Sequence, residues 1–103
     1  MSNTINGSDV RKVVIACDAG MGSSALLKTQ LAQSLKPYGV TVEHTAVNAI
    51  PIDADVVVTQ AGLAGRARKS APDTPVVTFQ MFLGDPAFTK LEAAIRDGAD
   101  IDG

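Results

Sequence analysis

Two hydrophobic periods share this chain. The first apolar run, Val13 to Ala16, is hydrophobic at every position, as a strand covered on both faces of a parallel sheet must be. With the residues before it, it predicts a strand over "VRKVVIA". From about Ser23 to Lys36 the spacing becomes helical. Leu27, Leu31 and Leu35 recur four apart and make one stripe, and Pro37 and Gly39 close the element. "VTVEHTA" then alternates, with Val40, Val42, His44 and Ala46 on one side and Thr41, Glu43 and Thr45 on the other. That pattern predicts a half-covered strand near a sheet edge. "VNAIPIDA" reads as a loop around Pro51, and "DVVVT" as a second fully covered strand. "QAGLAGRARKSAPDTP" begins as a loop. It then predicts a short helix with Leu63, Ala64 and Ala67 turned in and Arg66, Arg68 and Lys69 turned out to solvent. "VVTF" is a fourth strand, and Phe79 and Phe82 at its end read as core. "LGDPAFTKLEAAIRDGA" predicts a last helix. Asp85 stands at its N-cap, Pro86 at its first position, Phe88, Leu91 and Ile95 on one face and Gly98 at its stop. Residues 1–9 are polar and turn-forming and residues 98–103 are acidic. Both read as tails around a domain over 10–97.

The order strand, helix, strand, strand, helix, strand, helix predicts an α/β domain with right-handed crossovers and a mostly parallel sheet. A length of 103 residues allows one domain. Hydrophobic residues at 46% and charged residues at 19% give a globular balance. Aromatics at 4% and the lack of Trp leave packing to Val, Leu, Ile and Ala. The net charge of -2, with scattered Lys and Arg, argues against nucleic acid, which needs a clustered basic surface. No apolar run approaches the ~20 residues that cross a bilayer, and no positively charged start leads into an apolar stretch. A cytoplasmic, soluble protein is expected, one that would reach a membrane only through a partner. One cysteine forms no internal disulfide, which suits a reducing compartment.

That cysteine sits in "ACDAGMGSSA", between the first strand and the first helix. Ligands of doubly wound sheets bind beyond the carboxyl ends of the strands, where strand order reverses. Cys17 is expected there as the first residue of the loop. Gly20 and Gly22 let the main chain turn its amides inward, and Ser23 and Ser24 can cap the helix that follows. Such a nest of N–H donors at a positive helix end is an anion site, and it should lower the pKa of a thiol placed within it. A buried core cysteine is the plainer reading of a lone thiol, but the order strand, Cys, glycine loop, helix favours an activated nucleophile. Met21 is either packing or an adaptable partner contact. Asp18 would repel phosphate if it faced the site, so it is expected to point out or to accept loop hydrogen bonds. "GMGSSA" lacks the third glycine of a dinucleotide fingerprint and the lysine of a nucleotide P-loop. One Cys and one His cannot build a structural zinc site, so no metal and no cofactor are expected. His44 reads as structural or surface.

Low-molecular-weight tyrosine phosphatases share the strand, Cys loop and helix, with Cys, five residues and then Arg. Here the position after Cys17, Asp18, Ala19, Gly20, Met21 and Gly22 is Ser23. Without a guanidinium to grip phosphate and neutralise transition-state charge, hydrolysis should be slow. Asp85 before Pro86 superficially offers a general acid, but a helix cap explains it. A loop that accepts phosphate without hydrolysing it suits a relay.

"VRKVVIACDAGMGSSA", "TAVNAIP" and "ADVVVTQAGLAGRA" resemble the enzyme IIB domain of the bacterial phosphotransferase system, in its mannitol-type branch and within the lactose/cellobiose-IIB-like superfamily. The resemblance runs from about Val10 to Ile95. It implies a four-stranded parallel sheet of order 2-1-3-4 flanked by helices, Rossmann-like and similar to the low-molecular-weight phosphatases. It also implies a phosphocysteine intermediate. Cys17 would take a phosphoryl group from the phosphohistidine of enzyme IIA and pass it to a sugar, mannitol or a related hexitol, on the membrane enzyme IIC. The main chain of Asp18, Ala19, Gly20, Met21, Gly22, Ser23 and Ser24 would cradle that group, with the two serine hydroxyls as candidate donors. The protein would then lie at the inner face of the plasma membrane through enzyme IIC. One departure stands out. Relatives often carry charged or histidine residues after the third strand's Thr, where this chain has Gln60, Ala61 and Gly62. A small cysteine phosphatase, or a regulatory IIB-like module without transport activity, remains the alternative.

Overall fold

A computed structural model describes residues 4–17, 23–72, 74–80 and 86–102, with the backbone alone for Cys17, residues 23–26 and Asp102. In chain order the elements are β1 (Thr4–Asn6), β2 (Lys12–Cys17), α1 (Ser23–Leu35), β3 (Thr41–Ala46), β4 (Val56–Gln60), α2 (Ala64–Ser70), β5 (Val76–Phe79), α3 (Pro86–Asp97) and β6 (Asp100–Asp102). Four strands make one parallel sheet in the order β3-β2-β4-β5. Numbered among themselves they run 2-1-3-4, the expected order. The alternating strand β3 is an edge strand, and the two apolar runs β2 and β4 are central.

Two apolar layers hold the sheet. On one face Val13, Ile15, Val56 and Val58 pack under Leu27, Leu31 and Leu35 of α1 and under Leu91, Ala94 and Ile95 of α3. On the other face Val14, Ala16, Val57 and Val76 pack under Leu63, Ala67 and Ala71. Every residue of β2 from Val13 to Ala16 is therefore covered, as its unbroken apolar run demands. Burying each Val, Leu or Ile side chain contributes ~1.5–3 kcal/mol relative to leaving it in water. Leu63, Ala64 and Ala67 are buried while Arg66, Arg68 and Lys69 are exposed, as the pattern of α2 predicts. Helix α1 ends at Leu35 and passes into a 3-10 turn at Lys36–Tyr38, which Gly39 closes at a left-handed φ of 72°. Helix α3 stops at Gly98, also left-handed, with the Ala99 N–H donating to the Ala94 carbonyl at 2.9 Å.

The connection from β3 to β4 crosses β2 without a helix. Val47 and Ala54 are buried and Ile50 packs beside them, so this loop covers part of the second face. Its turns are closed by Ala49 N–H to Ala46 O at 2.9 Å and Ala54 N–H to Pro51 O at 3.2 Å. At its end Asp55 accepts the main-chain N–H groups of Arg11 at 2.8 Å and Lys12 at 3.0 Å through one oxygen, Oδ2. The two central strands are thereby tied together at their start.

The segments expected as tails carry regular structure. β1 and β6 form an antiparallel ribbon, with Ile5 opposite Ile101. Ile101 is buried against the α1/α3 face. Between β1 and β2, Gly7 opens a 3-10 turn at Gly7–Asp9 and donates its N–H to Ala99 O at 2.8 Å. A Cβ on Gly7 would run into the Ala94 carbonyl of α3, so this close approach requires glycine. Strands of three residues carry no readable period, and the polar composition hid them.

Candidate functional site

The backbone of Cys17 is the last residue of β2, opposite Ala46 of β3. It closes the strand, one step earlier than the loop position expected. From there the chain enters α1 at Ser23, on one face of the sheet. From the end of the neighbouring strand β4 the chain turns through a 3-10 segment at Ala61–Leu63 into α2 on the opposite face. The connections after β2 and β4 thus diverge, and strand order reverses between them. This is the switch point at which sheets of this kind bind ligands. The amino end of the 13-residue helix α1 lies at the same end of the sheet, where a helix dipole favours negative charge.

The Cys17 thiol, Asp18, Ala19, Gly20, Met21, Gly22 and the hydroxyls of Ser23 and Ser24 lie outside the described residues, as do Phe82 and Asp85. Gln60 ends β4 half-buried, while Ala61 and Gly62 are exposed in the turn that follows it. His44 is exposed on the edge strand. The alternation grouped it with Val42, but only Val42 is covered. Phe79 is core, as expected, with its ring 5.1 Å from that of half-buried Phe88.

One residue at this end was not singled out from sequence. Thr59 is the buried polar side chain among the described residues, with none of its surface exposed. It faces Ala16 across the β2–β4 ladder, and its hydroxyl donates to the Ala16 carbonyl at 2.7 Å. The signal is present in "VVVT": a hydroxyl that ends a fully covered strand must find an acceptor inside the protein. A groove of about 690 Å³ lies elsewhere, along the outer edge of β5 beside Arg68, Lys90 and Asp100. β4 separates β5 from β2.

Fold and site together define a small doubly wound α/β domain that carries its only cysteine at the carboxyl ends of the parallel strands, where strand order reverses. Within that class the chain belongs to the family of the PTS system, Lactose/Cellobiose specific IIB subunit, whose model matches residues 12–94. It is 40% identical over 86 residues to a PTS system mannitol-specific cryptic EIICB component of Escherichia coli (strain K12), covering 82% of this chain and 18% of that protein. It is 36% identical over 105 residues to a PTS system mannitol-specific EIICBA component of Vibrio cholerae, covering 96% and 16%. It is 39% identical over 84 residues to a PTS system mannitol-specific EIICB component of Geobacillus stearothermophilus, covering 80% and 18%. The chain therefore spans less than a fifth of the length of these relatives.

Proposed function

We propose that this chain is the phosphocarrier of a sugar phosphotransferase system, with Cys17 as the residue that carries the phosphoryl group. The Cys17 thiolate attacks the phosphorus of a phosphohistidine on an enzyme IIA partner; the S–P bond forms as the P–N bond breaks. A sugar hydroxyl on enzyme IIC then attacks the same phosphorus, the S–P bond breaks, and the hydroxyl proton is released. Mannitol or a related hexitol is the favoured acceptor, because the relatives quoted above are named mannitol-specific. The observation that carries the reading is the placement of the Cys17 backbone at the switch point, six residues before the amino end of α1. In-line transfer asks for a positioned nucleophile and donors for the phosphoryl oxygens, and for little proton transfer. The amides of residues 18–24 would supply those donors.

No helix among the described residues is long and apolar enough to cross a membrane. In this reading the sugar is met on enzyme IIC at the inner face of the plasma membrane, in keeping with the EIICB and EIICBA names of the relatives. The test is incubation with phosphoenolpyruvate, the general phosphotransferase proteins and a IIA partner. Intact-protein mass rises by one phosphoryl group in the wild type and stays unchanged in Cys17→Ser. Steady turnover of a generic phosphatase substrate would instead favour the phosphatase alternative, which Ser23 in the arginine position argues against.

A further inference from the structure

We infer that Thr59 is a positioning residue for Cys17, acting through the peptide group that joins Ala16 to Cys17. The inference deepens the phosphocarrier reading and rests on it for its meaning, though not for its test. The Thr59 hydroxyl is wholly buried and donates to the Ala16 carbonyl at 2.7 Å. That carbonyl belongs to the last peptide group before the nucleophile's α-carbon. Cys17 is itself paired with Ala46 on the opposite side of β2. The peptide plane is thus held from β4 by a side chain and from β3 by the ladder, at the residue where β2 ends.

This bond does two things. It fixes the direction in which the main chain leaves the sheet, and so where the Cys17 backbone stands at the end of β2. It also draws electron density from a carbonyl oxygen adjoining a residue that must be anionic to react, since a hydrogen-bonded carbonyl is polarised by its donor. Valine in place of Thr59 has nearly the same shape and lacks the donor. Serine keeps the donor and loses a methyl group from a closely packed site. The two variants therefore separate the hydroxyl's effect from simple destabilisation.

The experiment follows alkylation of the sole cysteine by iodoacetamide against pH, in the full chain, with thermal melting recorded in parallel. In Thr59→Val the rate at pH 7 falls about three- to tenfold, the scale of one neutral hydrogen bond, and the alkylation midpoint moves to higher pH. Thr59→Ser melts lower than wild type but keeps the wild-type profile. Phosphorylation of Cys17, followed by mass, slows in Thr59→Val and not in Thr59→Ser. The inference is overturned if Thr59→Val alkylates with the wild-type rate and midpoint, or if serine and valine behave alike. Should the wild type take up no phosphoryl group while alkylation still responds to valine and not to serine, the relay reading fails and the positioning role stands.

Discussion

Lys12 occupies the first position of the central strand, and its Nζ lies 2.8 Å from Glu43 and 3.0 Å from Asp53. The ammonium thus ties β2 to the edge strand on one side and to the β3–β4 connection on the other. The hydrogen bonds it donates to Glu43 and Asp53 hold its pKa above the ordinary lysine value of 10.5. A folded-state pKa raised in this way contributes stability that is fully present below pH 10.5 and is lost as pH rises through the folded value. Lys12→Met therefore unfolds at lower urea concentration than wild type at pH 7. The gap stays constant up to about pH 9.5 and narrows as the lysine of the wild type deprotonates above its model-peptide range. The carboxylates are exposed, so the gap is small and shrinks in high salt. A gap that persists undiminished at pH 11 would assign the loss to the packing of the lysine stem instead.

At the scale of elements, α1 carries the α1/α3 side of the core through one stripe. Leu27, Leu31 and Leu35 are all buried, while Gln30 and Ser34, one residue before Leu31 and Leu35, line a shallow cleft toward α3. Leu31→Ala is expected to lose ~2–5 kcal/mol, the range for a leucine removed from a packed interior. For a domain of this size each kcal/mol corresponds to about 4–8 °C in melting temperature, so a scanning melt reads the effect directly. This stripe was plain in the sequence because a four-residue spacing of Leu has one geometric solution on a helix. The strands β2 and β4 were plain for the opposite reason: with no polar position, they had to be covered on both faces. Helix α2 was readable from only three inward residues because three cations mark its outer face. What the sequence concealed was of two kinds. The β1–β6 ribbon is too short for a period, and its pairing joins residues 98 positions apart at Thr4 and Asp102. Thr59 was concealed by shape, since threonine continues a run of valines without a break in β propensity. At the site, the strand–glycine–helix order placed the Cys17 backbone to within one residue, at the start of the loop, where β2 in fact ends on it, but the hydrogen bond from β4 to the preceding carbonyl was not readable, because no local pattern records which strand becomes the neighbour.

Across the whole molecule the two ends of the sheet have different tasks. The ribbon, the Gly7–Asp9 turn and the C-terminus of α3 gather at the amino ends of the strands, where Gly7 meets Ala99 and Ile101 is buried. Cys17, Thr59 and the start of α1 gather at the carboxyl ends, with the length of β2 between the two groups. A change confined to the ribbon should thus alter stability without altering the chemistry of the thiol. A chain lacking residues 1–6 leaves β6 without its partner and opens the apolar surface around Ile101. It loses about one to two kcal/mol, the scale of a partly uncovered side chain and a few peripheral hydrogen bonds, and melts correspondingly lower. Iodoacetamide still alkylates Cys17 at a rate within about twofold of wild type, since interactions without shared partners are close to additive. An amide-exchange experiment adds a spatial check: protection is lost at residues 99–102 and along the end of α3, and is retained in β2 and β4, whose opening requires the whole core to separate. If the shortened chain instead changed the thiol's reactivity as strongly as Thr59→Val does, the two ends would be mechanically coupled through β2. Cys17 would then be positioned by the entire sheet and not by the strands that meet at its carboxyl end.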